Sequence, residues 1–393
     1  MKIGIIGGGI SGIIAALNLK NKNNEVIILE KNNKCLKKLL ITGNGRCNFW
    51  NSDQDSSKYY SNNRELINEI INEKTEEQAI SFLCNLGLVS TIKNGYYYPF
   101  SNQAITLYNL LMNEINKKNI KIKYNTNVID IIKNDKFEVQ TNEEKIYFDK
   151  LVISTGSKAY PKTGSDGFGY KILEKLGHKI IKPLPALTGL KIKNKYNWQG
   201  IRTDVNLTLL QNNEIIAVEN GEIQLTSYGI SGICVFNLSG LVSIGLDKKM
   251  KEEIIINFIP FLQTREMART WFIDRTNITK RNTLELISGI LNEKLIPILT
   301  NEKRLFTELT KEEQNKILDK LINFKVEIIE TNGYDESQVC IGGISLSEIN
   351  LNNMESKIVK DLYVIGELLD LTGVCGGYNI GIALRTALKV KYD

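Results

Sequence analysis

Gly7-Gly8-Gly9-Ile10-Ser11-Gly12 has the G-x-G-x-x-G spacing that lets a backbone wrap a pyrophosphate. Gly7 permits the tight turn, Gly9 lets the main chain approach the phosphates, and Gly12 lets a helix pack close to a strand. A helix starting near Ile10 turns its positive end on those phosphates, with Ser11 in its first turn. Glu30 closes the next apolar run. A carboxylate there accepts hydrogen bonds from ribose hydroxyls and repels a 2′-phosphate, which disfavours NADP as the ligand of this turn.

The spacing carries weight because of its flanks. Lys2 to Ile6 read as a buried strand, Ile13 to Lys20 as a helix and Glu25 to Glu30 as a second buried strand, which makes one βαβ unit. Two distant segments extend the reading. Leu151 to Gly156 is a buried strand ending Ser154-Thr155-Gly156, a crossover of the kind that returns near the nucleotide in two-dinucleotide flavoproteins. The strand at 362–366 ends Gly366-Glu367, and a helix begins after Gly376-Gly377-Tyr378-Asn379. That helix aims its N-terminus at negative charge developing on the N1/O2 side of a reduced flavin. A plain NAD dehydrogenase has no use for it, so FAD is the expected ligand.

The rest of the chain supplies the frame. Helical patterns occupy 64–86, 103–117 and 168–176, and strand-like alternation occupies 120–149. After Pro183 and Pro185 the stretch 186–245 reads as short strands with no long helix, in the manner of a barrel or sandwich. Residues 251–321 read as helical, 325–345 as strands and 379–390 as a last helix. The expected fold class is α/β: a Rossmann-type FAD-binding domain with an inserted β-barrel domain and a helical cap. The domains are 1–185 with 341–393 (FAD-binding), 186–250 with 322–340 (barrel) and 251–321 (helical insert).

Composition narrows the chemistry. The 393 residues are 42% hydrophobic and 24% charged, with a net charge of +6 that permits an anionic partner without demanding one. Cysteines 35, 47, 84, 234, 340 and 375 form no C-x-x-C pair, which argues against zinc and against a disulfide scaffold. Free thiols, no signal-peptide pattern and no long apolar span point to a cytoplasmic protein. His178 is the one histidine. It follows Gly177 at an expected helix end, where a surface position is the simplest reading, so histidine-based hydrolysis or metal chemistry is disfavoured.

Lys37-Lys38-Leu39-Leu40-Ile41-Thr42-Gly43-Asn44-Gly45-Arg46-Cys47-Asn48 resembles the K-L-L-x-[ST]-G-x-G-R-C-N segment of the BaiN/RdsA family of NAD(P)/FAD-dependent oxidoreductases. Further matching segments are Tyr160 to Ser165, Tyr228 to Gly232, Met354 to Lys357, Gly366 to Asp370 and Cys375 to Asn379, in family order along nearly the whole chain. The resemblance implies that Gly45, Arg46, Cys47 and Asn48, with Gly366 and Glu367, lie along the FAD pyrophosphate and ribityl. It also implies that Gly377, Tyr378, Asn379 and Ile380 sit at the flavin ring and that the Val128 backbone meets adenine. Ser11, Lys31, Lys38, Thr155 and Gly156 complete the expected cofactor contacts. Two segments depart from the family pattern: Phe49-Trp50-Asn51 stands for Val-Thr-Asn, and Ile380-Gly381-Ile382-Ala383 for Leu-Gln-Trp-Ala.

The implied activity is reduction of the flavin by NADH or NADPH and hydride transfer from N5 to an unsaturated substrate, among them a uridine of ribosomal RNA in some relatives. Such a reduction also needs an acid. Cys375, Cys47, Tyr378 and Tyr98 are candidates, against the competing reading of packing cysteines and pocket-wall tyrosines. Arg46 either neutralises cofactor charge or sits in an ion pair. Arg265, Arg269, Arg275, Lys280 and Arg281 around Trp271 and Phe272 suit nucleic acid, and equally a solvated helical face beside Glu266 and Asp274. The alternatives are a flavin oxidase acting on a small amine or ketone, and a non-catalytic flavin-bearing RNA-binding factor.

Overall fold

The computed structural model describes residues 1–392. Its contacts divide the chain into two compact units, 1–184 with 338–393 and 185–337.

The first unit is built on a seven-stranded sheet. Strand β1 (Lys2–Ile6) lies between β2 (Glu25–Leu29) and β7 (Lys150–Ile153), parallel to both, with Ile3 opposite Val26 on one side and Lys150 on the other. β6 (Lys121–Lys123) extends the β2 edge, and β8 (Leu362–Val364) the β7 edge. β1, β2, β7 and β8 are apolar runs because both faces are covered. Ile3, Ile5 and Ile6 are buried, each contributing about 2 kcal/mol by area. The chain leaves β1 for β2 on one side and later enters β7 on the other, so the carboxyl end of β1 is a switch point, where open α/β sheets bind ligands.

Helix α1 (Ile10–Leu19) follows β1 at once, and α2 (Lys37–Ile41) follows β2. Short strands β3 (Trp50–Asn51), β4 (Tyr59–Tyr60) and β5 (Tyr96–Pro99), with helix α3 (Glu73–Asn85), form the part that meets the last helix, α4 (Tyr378–Lys389). Asn72 caps α3 in a reciprocal box with Thr75.

The second unit contains a closed barrel of six strands, among them Arg202–Gln211 and Glu214–Leu225, which pair antiparallel over nearly their full length. Two expectations are corrected here. The stretch 186–245 holds a long helix, Ile233–Asp247, and its apolar residues Val235, Leu238 and Val242 belong to the barrel core. Its sequence has Ile, Val and Leu all round, so no helical stripe showed. The stretch 251–321 is not helical throughout, because Glu252–Asn257 is a barrel strand. Helices Arg265–Thr279 and Lys311–Ile322 follow it.

His178 is not a surface residue. It is buried, with Nδ1 2.9 Å from Glu348 Oε2 and Nε2 2.9 Å from Ser356 Oγ. The order Ser-His-Glu is that of a hydrolase triad, but Ser356 Oγ already accepts from the amides of Ile358 and Val359 and is enclosed. The trio ties the end of helix Phe168–Lys175 to the sheet edge. Gly177 makes the turn there with φ +99°. Among the described residues no helix is long and apolar enough to cross a membrane.

Candidate dinucleotide and flavin site

The turn after β1 is shaped by what its glycines leave out. A Cβ at Gly12 would stand 2.1 Å from Gly7 O and 2.6 Å from Ser154 Oγ, so only glycine lets α1 start against the strand ends. A Cβ at Gly9 would meet only Ser154 O, at 4.0 Å. The space before Gly9 is therefore not filled by protein, and a pyrophosphate fits there. No side chain caps α1, which leaves its first amides for a ligand. Ser154 clamps the turn: its Oγ donates to Ile6 O at 2.9 Å or Gly7 O at 3.0 Å.

Glu30 is buried and holds the same turn. Its Oε2 accepts from the Gly8 amide at 2.7 Å, and Oε1 accepts from Asn32 N and Nδ2 at 2.8 and 2.7 Å. A carboxylate has about four acceptor sites, so capacity for a ribose hydroxyl remains. Cys35, missed in the sequence, packs on Gly8 and beside Glu30; burial and that carboxylate push its thiol up to about 12. Lys31 pairs with Asp166 at 2.7 Å. Val128 is buried at the start of its strand.

The segment after α2 turns left-handed at Gly43 (φ +56°), Asn44 (+55°), Gly45 (+82°) and Cys47 (+59°), with right-handed Arg46 between the last two. A right-then-left pair of residues points successive amides into one concavity, the form of an anion nest. Arg46 is exposed and its side chain has no hydrogen-bond or ion-pair partner among the described residues, so the structural ion pair is not its role. Asn48, with its amide oriented to suit, donates to Trp50 O and Tyr97 O.

Lys38 Nζ meets Glu367 Oε2 at 2.8 Å, and Ser157 Oγ donates to Glu367 Oε1 at 2.6 Å. The sequence-distant ends of the unit thus join at one ion pair. Gly366 (φ +70°) lies against Ser11: a Cβ there would stand 2.7 Å from Ser11 Oγ. Gly156 is also left-handed (φ +72°). Thr155 Oγ1 is buried without a hydrogen-bond partner and lies against Gly169, where a Cβ would stand 2.1 Å from it. The glycine cradle and the nest fit an FAD dinucleotide, as expected of an FAD-binding fold. The contacts of individual residues with it are our proposal.

At the other end, Gly377 (φ +92°) starts α4 directly on β3; a Cβ would meet Trp50 backbone atoms at 2.6–2.7 Å. Asn379 braces this corner, exchanging hydrogen bonds with Gly373 N and O at 2.9 and 2.8 Å. Ile380 is partly buried in the next position. Tyr378 packs edge-on against Tyr59, ring centres 5.4 Å apart. Tyr96 touches Gly376, and Cys375 lies near enough to Tyr98 to raise it, though burial of Tyr98 is the larger cause. The four proposed acids are all held protonated: burial pushes Cys47 up to about 12 and Cys375 to about 11, and raises Tyr378 and Tyr98. Each can donate a hydrogen bond; none is a base near neutral pH.

The two departures from the family pattern meet each other. A Cβ at Gly381 would stand 3.3–3.4 Å from the six-membered ring of Trp50, so the large ring and the absent side chain share one space. Phe49 and Trp50 are buried among core side chains rather than lining open space. Beneath Trp50 lies Arg385, 4.3 Å from its ring centre and fully buried, which sequence reasoning missed. Its only signal was a charge on the apolar face of a helix.

The geometry defines a class: a Rossmann-type FAD-binding fold carrying an antiparallel barrel and helices. The chain belongs to the HI0933-like protein Rossmann domain family, which matches residues 1–391, and so to a family of FAD-dependent oxidoreductases. It is 33% identical over 395 residues to a 3-dehydro-bile acid delta(4,6)-reductase of Clostridium scindens, covering 98% of this chain and 97% of the relative. It is 26% identical to a ribosomal RNA dihydrouridine synthase of Escherichia coli K12, covering 99% and 96%. Among solved structures, a flavocytochrome c3 fumarate reductase shares the fold, with a TM-score of 0.51 and 13% identity over 99% of this chain and 77% of that one.

Proposed function

We propose that this chain is a reductase acting on a carbon–carbon double bond conjugated to a carbonyl, with NADH or NADPH as electron donor. What carries the reading is the full-length match to two relatives whose names share one chemistry. A 3-dehydro-bile acid with Δ4,6 unsaturation and the uracil ring of uridine each conjugate C=C to C=O. When bound, FAD supplies the hydride, from N5. The protein's part is to hold the substrate carbonyl in hydrogen bonds, so that negative charge developing on its oxygen is stabilised, and to deliver one proton to the other carbon. The protonated Cys375, Tyr378 and Tyr98 suit the donor role, because neutral acids can lend a hydrogen bond without carrying charge into the site.

The test is anaerobic stopped-flow mixing of the FAD-loaded protein with NADH or NADPH, followed by a 3-oxo-Δ4,6 steroid. Bleaching by one nucleotide and reoxidation by the steroid are expected. A flavin that neither nucleotide bleaches overturns the reading.

An RNA substrate is the second reading. Phe261 is exposed and edge-on to Trp271, and the Arg275 guanidinium lies 5.5 Å from the Trp271 ring centre. Other members of the basic set are engaged within the protein: Arg265 with Asp319, and Arg269 with Asn315. Phe272 is buried and stacked on Phe306, so it offers no platform for a base. Reversing charge at Lys280 and Arg281 and titrating a ribosomal RNA fragment separates the readings: unchanged affinity sinks this one.

A further inference from the structure

Arg385 is a charge with no role in the site described above. Its side chain is fully buried on α4, seven residues after Tyr378, and reaches back along the helix until Nη1 stands 3.6 Å from where a Cβ of Gly381 would be. Its Nε donates to Thr75 Oγ1 at 3.0 Å and Nη1 to Gln54 Oε1 at 2.8 Å, both uncharged. Gln54 Oε1 also accepts from Tyr59, the ring that packs on Tyr378. Nη2 makes no hydrogen bond and lies 3.8 Å from Glu76, whose side chain is 35% exposed. The guanidinium therefore brings a positive charge into the unit with one part-exposed counter-charge, at the far edge of ion-pair distance. Burial that incomplete is unfavourable unless something else answers the charge.

The direction of the charge is informative. Trp50 spans α4 from Gly377 to Arg385, and the indole face screens the cation from solvent rather than neutralising it. The amides at the start of α4 carry partial positive charge of the same sign. Helix and guanidinium together raise the potential at Gly377 to Ile380.

We propose that Arg385 is an electrostatic positioning residue, a buried cation behind α4 that favours the negative charge a bound flavin gains on reduction. The proposal rests on the reading of the first turn of α4 as the flavin-ring site. Over about 10 Å at a protein dielectric near 20, one such charge changes a reduction equilibrium roughly tenfold.

The experiment is dye-equilibrated anaerobic reduction of the FAD-loaded protein without substrate, with flavin content and Tm measured in parallel. Arg385→Met is expected to lower the reduced-to-oxidised ratio about tenfold, or about 30 mV for two electrons. Arg385→Lys keeps the charge and should stay within about twofold of the parent. Thr75→Val removes a partner of the guanidinium and should lower Tm without moving the potential. An Arg385→Met protein that holds FAD at the parent potential overturns the proposal and leaves the flavin reading standing. A parent chain that binds no FAD overturns the flavin reading itself. Should Arg385→Met not fold, Glu76→Gln decides: loss of the counter-charge must raise the ratio about twofold, and no change overturns the proposal.

Discussion

The turn after β1 and the floor beneath α4 bury polar groups in opposite ways. In the turn, Glu30 is answered by residues close in sequence, Gly8 and Asn32. In the floor, Arg385 reaches Thr75 and Gln54, more than 300 residues away in sequence. The first arrangement follows from backbone geometry that glycine spacing encodes. The second exists only once the chain has folded, and it depends on a size exchange between Trp50 and Gly381. The difference teaches that the turn after β1 is shaped by local rules, while the floor beneath α4 is set by packing between distant parts of the chain.

The largest expected effect tests the local rule. Gly12→Val places a side chain 2.1 Å from Gly7 O, which no rotamer relieves. We expect α1 to be pushed from the strand ends, flavin retention to fall at least about 100-fold, and stability to drop by about 3 kcal/mol. Absorbance of the purified protein at the flavin band and thermal melting read both. A variant that keeps its flavin would break the comparison at its stronger end.

A buried carboxyl with no ion pair among the described residues extends it. Glu252, in the barrel, is buried beside Gln211; burial pushes its carboxyl up to about 7, and the Gln211 side chain opposes that rise. The folded protein thus holds a proton that the unfolded chain releases near pH 4.5. Its contribution is favourable at low pH and is lost as pH rises from about 4.5 through 7, by about 3 kcal/mol. Glu252→Gln should remove that slope from the stability of the chain. Urea unfolding at pH 5 and pH 8 checks it, and an unchanged slope would contradict the assignment.

How much of this was legible in the sequence follows the same division. Gly7 to Gly12, Glu30 and the flanking strands were readable because a tight turn and a close helix contact admit few residues. Gly366-Glu367 and Gly376 to Asn379 were readable by resemblance alone, and the Lys38–Glu367 pair gives the first of them a physical link to the segment after β2. Helix Ile233–Asp247 was not, because a helix apolar all round shows no period. Burial of His178 was not either, since Glu348 and Ser356 answer it from far along the chain. Cys35 and Arg385 escaped for the same reason: their partners are set by tertiary packing.

The smallest effect we predict concerns the size exchange. Trp50→Thr leaves a void over Gly381 and uncovers Arg385, at about 3 kcal/mol. Gly381→Gln drives a side chain into the indole, at about 2 kcal/mol. Made together, the changes relieve each other. The double variant should be more stable than the sum of the singles implies by about 1–2 kcal/mol. Denaturant melts of the four proteins give the coupling. Strict additivity would mean that Trp50 and Gly381 are independent, and that the floor, like the turn, is assembled from separate local choices.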